Sequence, residues 1–499
     1  MASITSADRA HGTNRWLVTI TVMLGLVMAI IDSTIVNVAL PTIAGNLGAT
    51  VDDAAWIATG YLLSAVIIMP LNGWLTAYFG RRNFYAACIA IFTVASFLCG
   101  TAHSIWQLVF YRIIQGIGGG ALQPTAQALL FETFPPKERG AAMAVFGLGV
   151  MFGPAVGPLL GGYLVDNATW PLIFFINIPI GILAFFMTLS FIDAPKYLQR
   201  PKGGIDFVAL GLLVAGLGSL QYVLERGQHD DWYSSPSILV LSMIAVVGIV
   251  GFLIKSLRDK HPLVDLRAFR FREYTIGNVL YAILGFGLFG STLIMPLFFQ
   301  NIAGMSAFET GWVLLPGAIA TAVSMVIAGR ILNRVDNRFM IAFGIVMFGV
   351  SSWMLSFLNQ QTGYWDVFWP RVIQGLGMGF LFVPISTMML APVPREELAA
   401  ASGVSNLIRQ IGGSIGIAIL TTMLARETAI AWSELAGGVT STHGASVGTL
   451  TQIVAQQATI IAYNFDFRLV AISFFVLLPL VFFMRPSRVQ QDAAAPAAE

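Results

Sequence analysis

The chain has 499 residues, of which 57% are hydrophobic and 10% charged, with a net charge of +2 and a mean hydropathy of +0.78. A soluble domain carries about 25% charged residues, so this composition excludes an ordinary water-soluble fold, and the near-neutral balance excludes a nucleic-acid partner. The two cysteines, Cys88 and Cys99, share one hydrophobic run and imply no disulfide framework. The histidines (His11, His103, His229, His261, His443) are scattered and suggest no metal site.

A membrane-spanning helix needs roughly 20 mainly apolar residues. In chain order such runs fall at 16–39, 55–79, 84–102, 106–131, 140–164, 171–192, 206–224, 236–256, 274–299, 311–332, 338–358, 368–391, 401–423 and 468–485. Fourteen spans make this an all-α integral membrane protein. No signal-peptide cleavage pattern precedes the first span, which is therefore expected to be retained. An even count puts both termini on one side. Among the 27 Lys and Arg, Arg226, Arg426 and Arg468 fall on one side and Arg112, Arg371 and Arg409 inside spans, while all the rest share the other side. The positive-inside rule makes that side, and both termini, cytoplasmic.

Span 1 carries Asp32, and a charge at membrane depth costs at least ~2.5 kcal/mol. Its helical neighbours Met28, Ala29, Ile35 and Val36 are apolar, so its own helix offers no partner. An unpaired buried carboxylate is expected to hold a proton more readily, which makes Asp32 a proton carrier. A permanent hydrogen bond across helices and a site attracting cationic drugs are the competing readings. On span 4, Arg112, Gln115, Gly119, Gln123 and Gln127 share one helix face. Arg112 would discharge Asp32 if spans 1 and 4 meet; otherwise it holds a carbonyl near a helix end.

On span 5, Gly149, Gly153, Gly157 and Gly161 recur every four residues, a smooth face for close backbone contact. Pro154 and Pro158 remove helical hydrogen bonds from the same span. The functional reading is a bendable seal against proton leak; the plain one is small-residue packing. Asn37, Asn72, Asn177, Asn278, Asn406, Arg409 and Gln410, with Gln115, Gln123 and Gln127, are candidates to line a substrate cavity, and each could equally bond a neighbouring helix.

The chain repeats itself. "YRIIQGIGGG" (111–120) recurs as "PRVIQGLGMG" (370–379), and the match runs on at an offset of 259 through Glu138 with Glu397, Gly153 with Gly412 and Gly157 with Gly416. The later copy lacks both prolines. The repeat divides the chain into a six-helix bundle over 1–200, two inserted helices over 201–260 and a second six-helix bundle over 261–499. Parallel repeats with a site at their interface are a transporter plan.

"GWLTAYFGRR" (73–82), "RIIQG" (112–116) and "GVMFGPAVGPLLGG" (149–162) resemble the signature stretches of the major facilitator drug:proton antiporters. With fourteen spans and "IDSTIVNVALP" in span 1, the chain looks like the EmrB/QacA branch. The resemblance implies a major facilitator fold. It also implies an antiport motif at Gly149, Gly153, Pro154, Gly157, Pro158 and Gly161, and a cytoplasmic loop motif at Gly73, Gly80, Arg81 and Arg82. The implied activity is proton-coupled export of hydrophobic or amphipathic compounds, with no cofactor besides the proton gradient. The loop departs from the family pattern: Ala77 stands where an acid is expected, and Asn333 in the second copy.

Between spans 13 and 14, residues 424–467 form the longest outer stretch, and "TLTQIVAQQATIIAYNFDF" is expected to lie as an amphipathic helix on the outer face. This stretch resembles its counterpart in EmrB-type pumps of the bacterial inner membrane, which implies a periplasmic adaptor and an outer-membrane channel as partners; lone QacA-type pumps are the alternative. No HExxH, GxSxG or GxxxxGK[ST] is present, so a membrane enzyme and an ATP-driven pump lack their motifs. A proton-coupled importer or exporter of a specific metabolite is the runner-up.

Overall fold

The computed structural model describes residues 15–193, 204–259, 262–437 and 447–484. The basic residues Arg9, Lys196, Arg200, Lys202, Lys260, Arg485 and Arg488, and residues 438–446 of the outer stretch, lie outside these. Among the described residues there are fourteen long helices and no strand: α1 (Arg15–Asn46), α2 (Val51–Phe79), α3 (Arg81–Gly100), α4 (Ile105–Thr133), α5 (Arg139–Asn167), α6 (Leu172–Phe191), α7 (Phe207–Arg226), α8 (Pro236–Arg258), α9 (Arg272–Asn301), α10 (Ala307–Ile331), α11 (Asn337–Leu355), α12 (Tyr364–Leu390), α13 (Leu398–Gly437) and α14 (Val447–Phe482). Thirteen are long and apolar enough to cross a membrane. The other is α4, which carries Arg112 and four glutamines.

Helix starts follow local chemistry. Thr50 with Asp53, and Ser306 with Glu309, form capping boxes at α2 and α10. Ser104, Asp206 and Asp336 accept backbone N–H groups at the starts of α4, α7 and α11. Each side chain satisfies donors that the first turn leaves free.

Packing repeats with the sequence. In the first half α5 lies on α1, α2 and α3 on α4, and α6 on α3; in the second, α13 lies on α9, α10 and α11 on α12, and α14 on α11. The halves meet along two seams of swapped equivalents, α2 on α13 and α5 on α10, as a pseudo-two-fold axis requires. Helices α7 and α8 pack on each other and, through α7, outside the seam of α2 and α13.

The glycine-rich repeat motif is what brings these helices close. A Cβ on Gly116 would run into the Tyr61 carbonyl, one on Gly118 into the Cys88 carbonyl and one on Gly120 into Ala65. Their repeat mates Gly375, Gly377 and Gly379 face Gly317, Gly344 and Ser324 with Met325 in the same way.

The outer stretch does not form a separate surface helix. α13 runs on to Gly437 and α14 begins at Val447, about twenty residues before the expected last span. At 40 and 36 residues they measure roughly 60 and 54 Å at 1.5 Å per residue, against a hydrocarbon core of about 30 Å. Neither 424–437 nor 447–467 contains a proline to stop the helix. Tertiary contacts hold the extension: Ala458, Ile460, Ala462 and Tyr463 are buried, and Asn464 donates to the Leu358 carbonyl at 3.0 Å.

Candidate functional site

Asp32, midway along α1, is fully buried. Its carboxylate is not alone. Arg112 of α4 donates to Oδ2 at 2.5 Å; Gln115, one turn on, donates to Oδ1 at 3.0 Å; and Asn177 at the kink of α6 donates to Oδ1 at 2.7 Å. The expectation of an unpaired carboxylate is thus corrected. The partners come from other helices, which local sequence could not show.

The guanidinium is equally enclosed. Arg112 is 1% exposed and also donates to Gln115 Oε1 at 2.7 Å and to the Ile57 carbonyl at 3.3 Å. Its carbon lies 4.3 Å from the centre of the Tyr61 ring, a cation–π distance. Asn177 donates to Ser96 Oγ as well, tying α3 and α6 into the cluster. Such a pair can exist in two arrangements. With Asp32 ionised, the two charges neutralise each other; with Asp32 protonated, Arg112 retains the Gln115 and Ile57 oxygens and the Tyr61 face.

The second half repeats the scaffold without the acid. Arg371 donates to Gln374, and Gln374 donates to Ser291 Oγ of α9 at 3.2 Å, where Gln115 meets Asp32 in the first half. Arg371 also reaches Met295 Sδ at 3.3 Å. Ser291 thus stands where Asp32 stands in the first half.

The glycine face of α5 packs directly on α1. A Cβ on Gly149 would strike Met23, one on Gly153 Ile30, one on Gly157 Thr34, and one on Gly161 would sit 3.0 Å from Ile35. Thr34 Oγ1 lies 3.1 Å from the Gly153 carbonyl. The turns on either side of Asp32 are thus clamped against this helix. Pro154 is half-buried and Pro158 exposed, so the prolines look away from the clamp.

The arginine-rich ends of the two halves are closed on each other. Asn72 donates to the Ala399 carbonyl at 2.9 Å and accepts from Thr125 at 2.6 Å. Gly73 faces the backbone of Ala400, and Gly140 that of Gly329. Arg81, 2% exposed, pairs with Glu132 of α4 and donates to the Arg395 carbonyl at 3.2 Å. Ala77 leaves the loop without its acid, and Glu132 supplies one from another helix. Gly80 takes a positive φ of 79°, which favours glycine at this turn; Arg82 is half-buried beside it. At the same end the repeat-related Glu138 and Glu397 each hold an arginine, Arg15 at 2.6 Å and Arg270 at 2.9 Å.

The remaining candidates separate. Gln127 accepts from Asn406 of α13 at 2.6 Å, joining the polar face of α4 to the second half. Gln123 is half-buried on that face. Asn278 donates to its own helix, at the Tyr274 carbonyl. Asn37 is exposed and outside the buried network. Arg409 is buried between Tyr281 and Phe289. Tyr61 is the member that a search along single helices misses, because its ring meets Arg112 only between helices.

The profile of the Major Facilitator Superfamily matches residues 22–417. The chain is 36% identical over 494 residues to the multidrug export protein EmrB of Escherichia coli K12, covering 95% of this chain and 96% of that one. It is 32% identical over 487 residues to the fatty acid resistance protein FarB of Neisseria gonorrhoeae, covering 94% and 96%. The crystal structure of the human organic anion transporter MFSD10 (TETRAN) superposes with a TM-score of 0.65 at 13% identity, covering 94% of this chain and 99% of that one. At that identity the likeness speaks for the fold.

Proposed function

The chain belongs to the Major Facilitator Superfamily, and from that premise we propose that it is a proton-coupled antiporter that exports hydrophobic or amphipathic compounds across a bacterial inner membrane by alternating access. The observation that carries the proposal is the buried Asp32–Arg112 pair, present in one half of a repeat whose other half keeps the arginine with Ser291 in the place of the acid. The names of the curated relatives, a multidrug export protein and a fatty acid resistance protein, support the substrate class.

In this reading the arginine-rich end is cytoplasmic, as are both termini, and the described state is closed towards the cytoplasm. Asp32 takes a proton from outside, which releases Arg112 to Gln115, Ile57 and Tyr61. Loss of the ion pair loosens α1 from α4, and the clamp of α5 on α1 carries that change to the seam with α10. The proton leaves when the other end opens. One charge crossing ~150 mV supplies about 3.5 kcal/mol, enough for a gradient of several hundred-fold. No other cofactor is required.

The long α13–α14 hairpin offers a platform for a periplasmic adaptor and an outer-membrane channel. Deleting residues 440–460 would then abolish resistance in cells while purified protein still binds drug. The central test is Asp32→Asn, which keeps the shape and imitates the protonated acid. In everted vesicles it should abolish proton-coupled efflux and the proton release on substrate binding, yet leave binding largely intact. Efflux with an unchanged pH dependence would refute the assignment.

A further inference from the structure

An apolar groove opens between the inserted helices and the body of the protein. Its cavity measures about 490 Å³, and all fifteen lining side chains are apolar. They come from α2 at Pro70, α7 at Leu217, α8 at Phe252, the segment 263–271 at Phe269 and α13 at Leu407. α8 packs closely on α7 but not on α2 or α13, and the groove is the gap this leaves. Lining positions 249–257 lie in the second half of α8 and 404–411 early in α13, so the groove occupies the leaflet at the arginine-rich end. It opens sideways where Leu253, Leu257 and Phe269 are 40%, 73% and 36% exposed. At the arginine-rich end Ser256 donates to the Val264 carbonyl at 2.9 Å, which folds the segment 263–271 across the groove.

Water has nothing to hold it there, because a buried water needs two to four polar partners, and close-packed proteins leave few voids of this size. The filling at hand in a membrane is an acyl chain, and the chemistry at the covered end says which lipid brings it. Arg258 follows the lining residue Leu257 in the chain, Arg267 follows Leu266, and Arg270 follows Phe269. Arg267 and Arg270 are half-exposed and engage Asp265 at 3.9 Å and Glu397 at 2.9 Å, while Lys255 pairs with Asp206 at 2.8 Å. Asp259 has a partner too. Arg258 is exposed, and among the described residues no acid pairs with it. On the neighbouring face of α8, Lys255, Arg258 and Asp259 line a second cavity of about 400 Å³, which gives a headgroup room.

We propose that this groove binds an anionic glycerophospholipid of that leaflet, with one acyl chain along the apolar lining and the phosphate on Arg258. Basic pockets between helices at a membrane face suit such headgroups, and a guanidinium fork matches phosphate oxygens. The lipid joins α7 and α8 to both halves at the seam of α2 and α13, which gives the inserted pair a role outside the transport path. A hydrophobic export cargo is the competing occupant. The lining holds no polar group to orient a cargo, and the arginine at the mouth favours the lipid.

The test is photolabelling of the full-length protein in phosphatidylcholine nanodiscs. Trace phosphatidylglycerol, phosphatidylcholine or diacylglycerol, each with the same diazirine-bearing acyl chain, is irradiated and the labelled peptides are mapped. Phosphatidylglycerol should label positions 213–220, 249–257 and 404–411 at least about fivefold more than the other two, the scale of one basic side chain beside an anionic headgroup. Arg258→Gln, an exposed change, should bring phosphatidylglycerol down to the level of the others and leave those within about twofold. Leu217→Trp should clear the groove of label while the outer face of α8, at the exposed Val246 and Val250, stays labelled. Equal labelling of the groove by the three probes overturns the proposal, as does a groove that takes no label in wild type. An undiminished preference in Arg258→Gln overturns it too. Displacement of the groove label by tetraphenylphosphonium, with no effect of Arg258→Gln, would assign the groove to cargo instead. If the tryptophan variant does not fold, the three probes and Arg258→Gln decide. Asp32→Asn should leave the labelling unchanged, so this site stands or falls apart from the antiport mechanism.

Discussion

Replacing Arg112 with glutamine strands Asp32 as a charge in a fully buried place, with Gln115 and Asn177 as its remaining donors. Removing one partner of a buried pair costs about 3–5 kcal/mol, because the other charge is left uncompensated. Asp32→Asn is milder: Arg112 keeps the Gln115 oxygen at 2.7 Å, the Ile57 carbonyl at 3.3 Å and the Tyr61 face at 4.3 Å. Its cost is about 1–3 kcal/mol, that of one or two charge-assisted hydrogen bonds. The double variant buries two neutral amides and no charge, so it should be little worse than Asp32→Asn alone. A double-mutant cycle should therefore return a coupling energy close to the Arg112→Gln loss, about 3–5 kcal/mol. The assay is denaturant unfolding of the four detergent-purified proteins at neutral pH, followed by tryptophan fluorescence. Single losses that add to the double loss within about 0.5 kcal/mol would mean that the two charges do not neutralise each other. The switch proposed for proton exchange would then have no energetic basis.

Gly157→Ala should destabilise the protein by about 1–3 kcal/mol through overpacking against Thr34, measured by the same unfolding assay; an unchanged protein would show that α5 and α1 are not clamped there. Pro154→Ala, whose side chain is half-buried, should leave expression near normal while efflux falls or vesicles leak protons, and normal efflux at normal expression would refute the coupling role. Asn72→Ala should loosen the closed end, seen as faster alkylation of a cysteine placed at Ala400. On the opposite end, His229 bridges Asp230 at 2.8 Å and Asp52 at 3.1 Å, and the hydrogen bond to Asp230 holds its imidazolium above the ordinary histidine range. A raised value means that this link contributes fully below about pH 6.5 and is lost as pH rises through the folded-state value. Hydrogen exchange around residues 227–231 should therefore quicken as pH rises, beyond its intrinsic pH dependence, in wild type and not in His229→Ala. Exposure of half the side chain keeps the effect small.

Much of the architecture is written in local pattern. Apolar run length sets each crossing, because lipid cannot satisfy a bare backbone, and the repeat of Arg-x-x-Gln-Gly at an offset of 259 already pairs α4 with α12. The glycine face of α5 is legible for the same reason: four small residues at helical spacing imply a close neighbour, although not which one. The presence of Asp32 and Arg112 inside spans marks both by their cost alone. What waited for tertiary structure is everything that depends on distance between helices. Asp32 reads as solitary along α1, yet its three donors sit 80, 83 and 145 residues away in the chain. Glu132 takes the place of the missing acid near Ala77 because α4 ends beside α3. The outer stretch reads as an amphipathic surface helix, yet packing against neighbouring helices and the absence of a proline carry α13 on to Gly437 and let α14 begin at Val447. Local sequence determines which groups must be satisfied in the membrane, and only the packing of the helices decides which partners satisfy them.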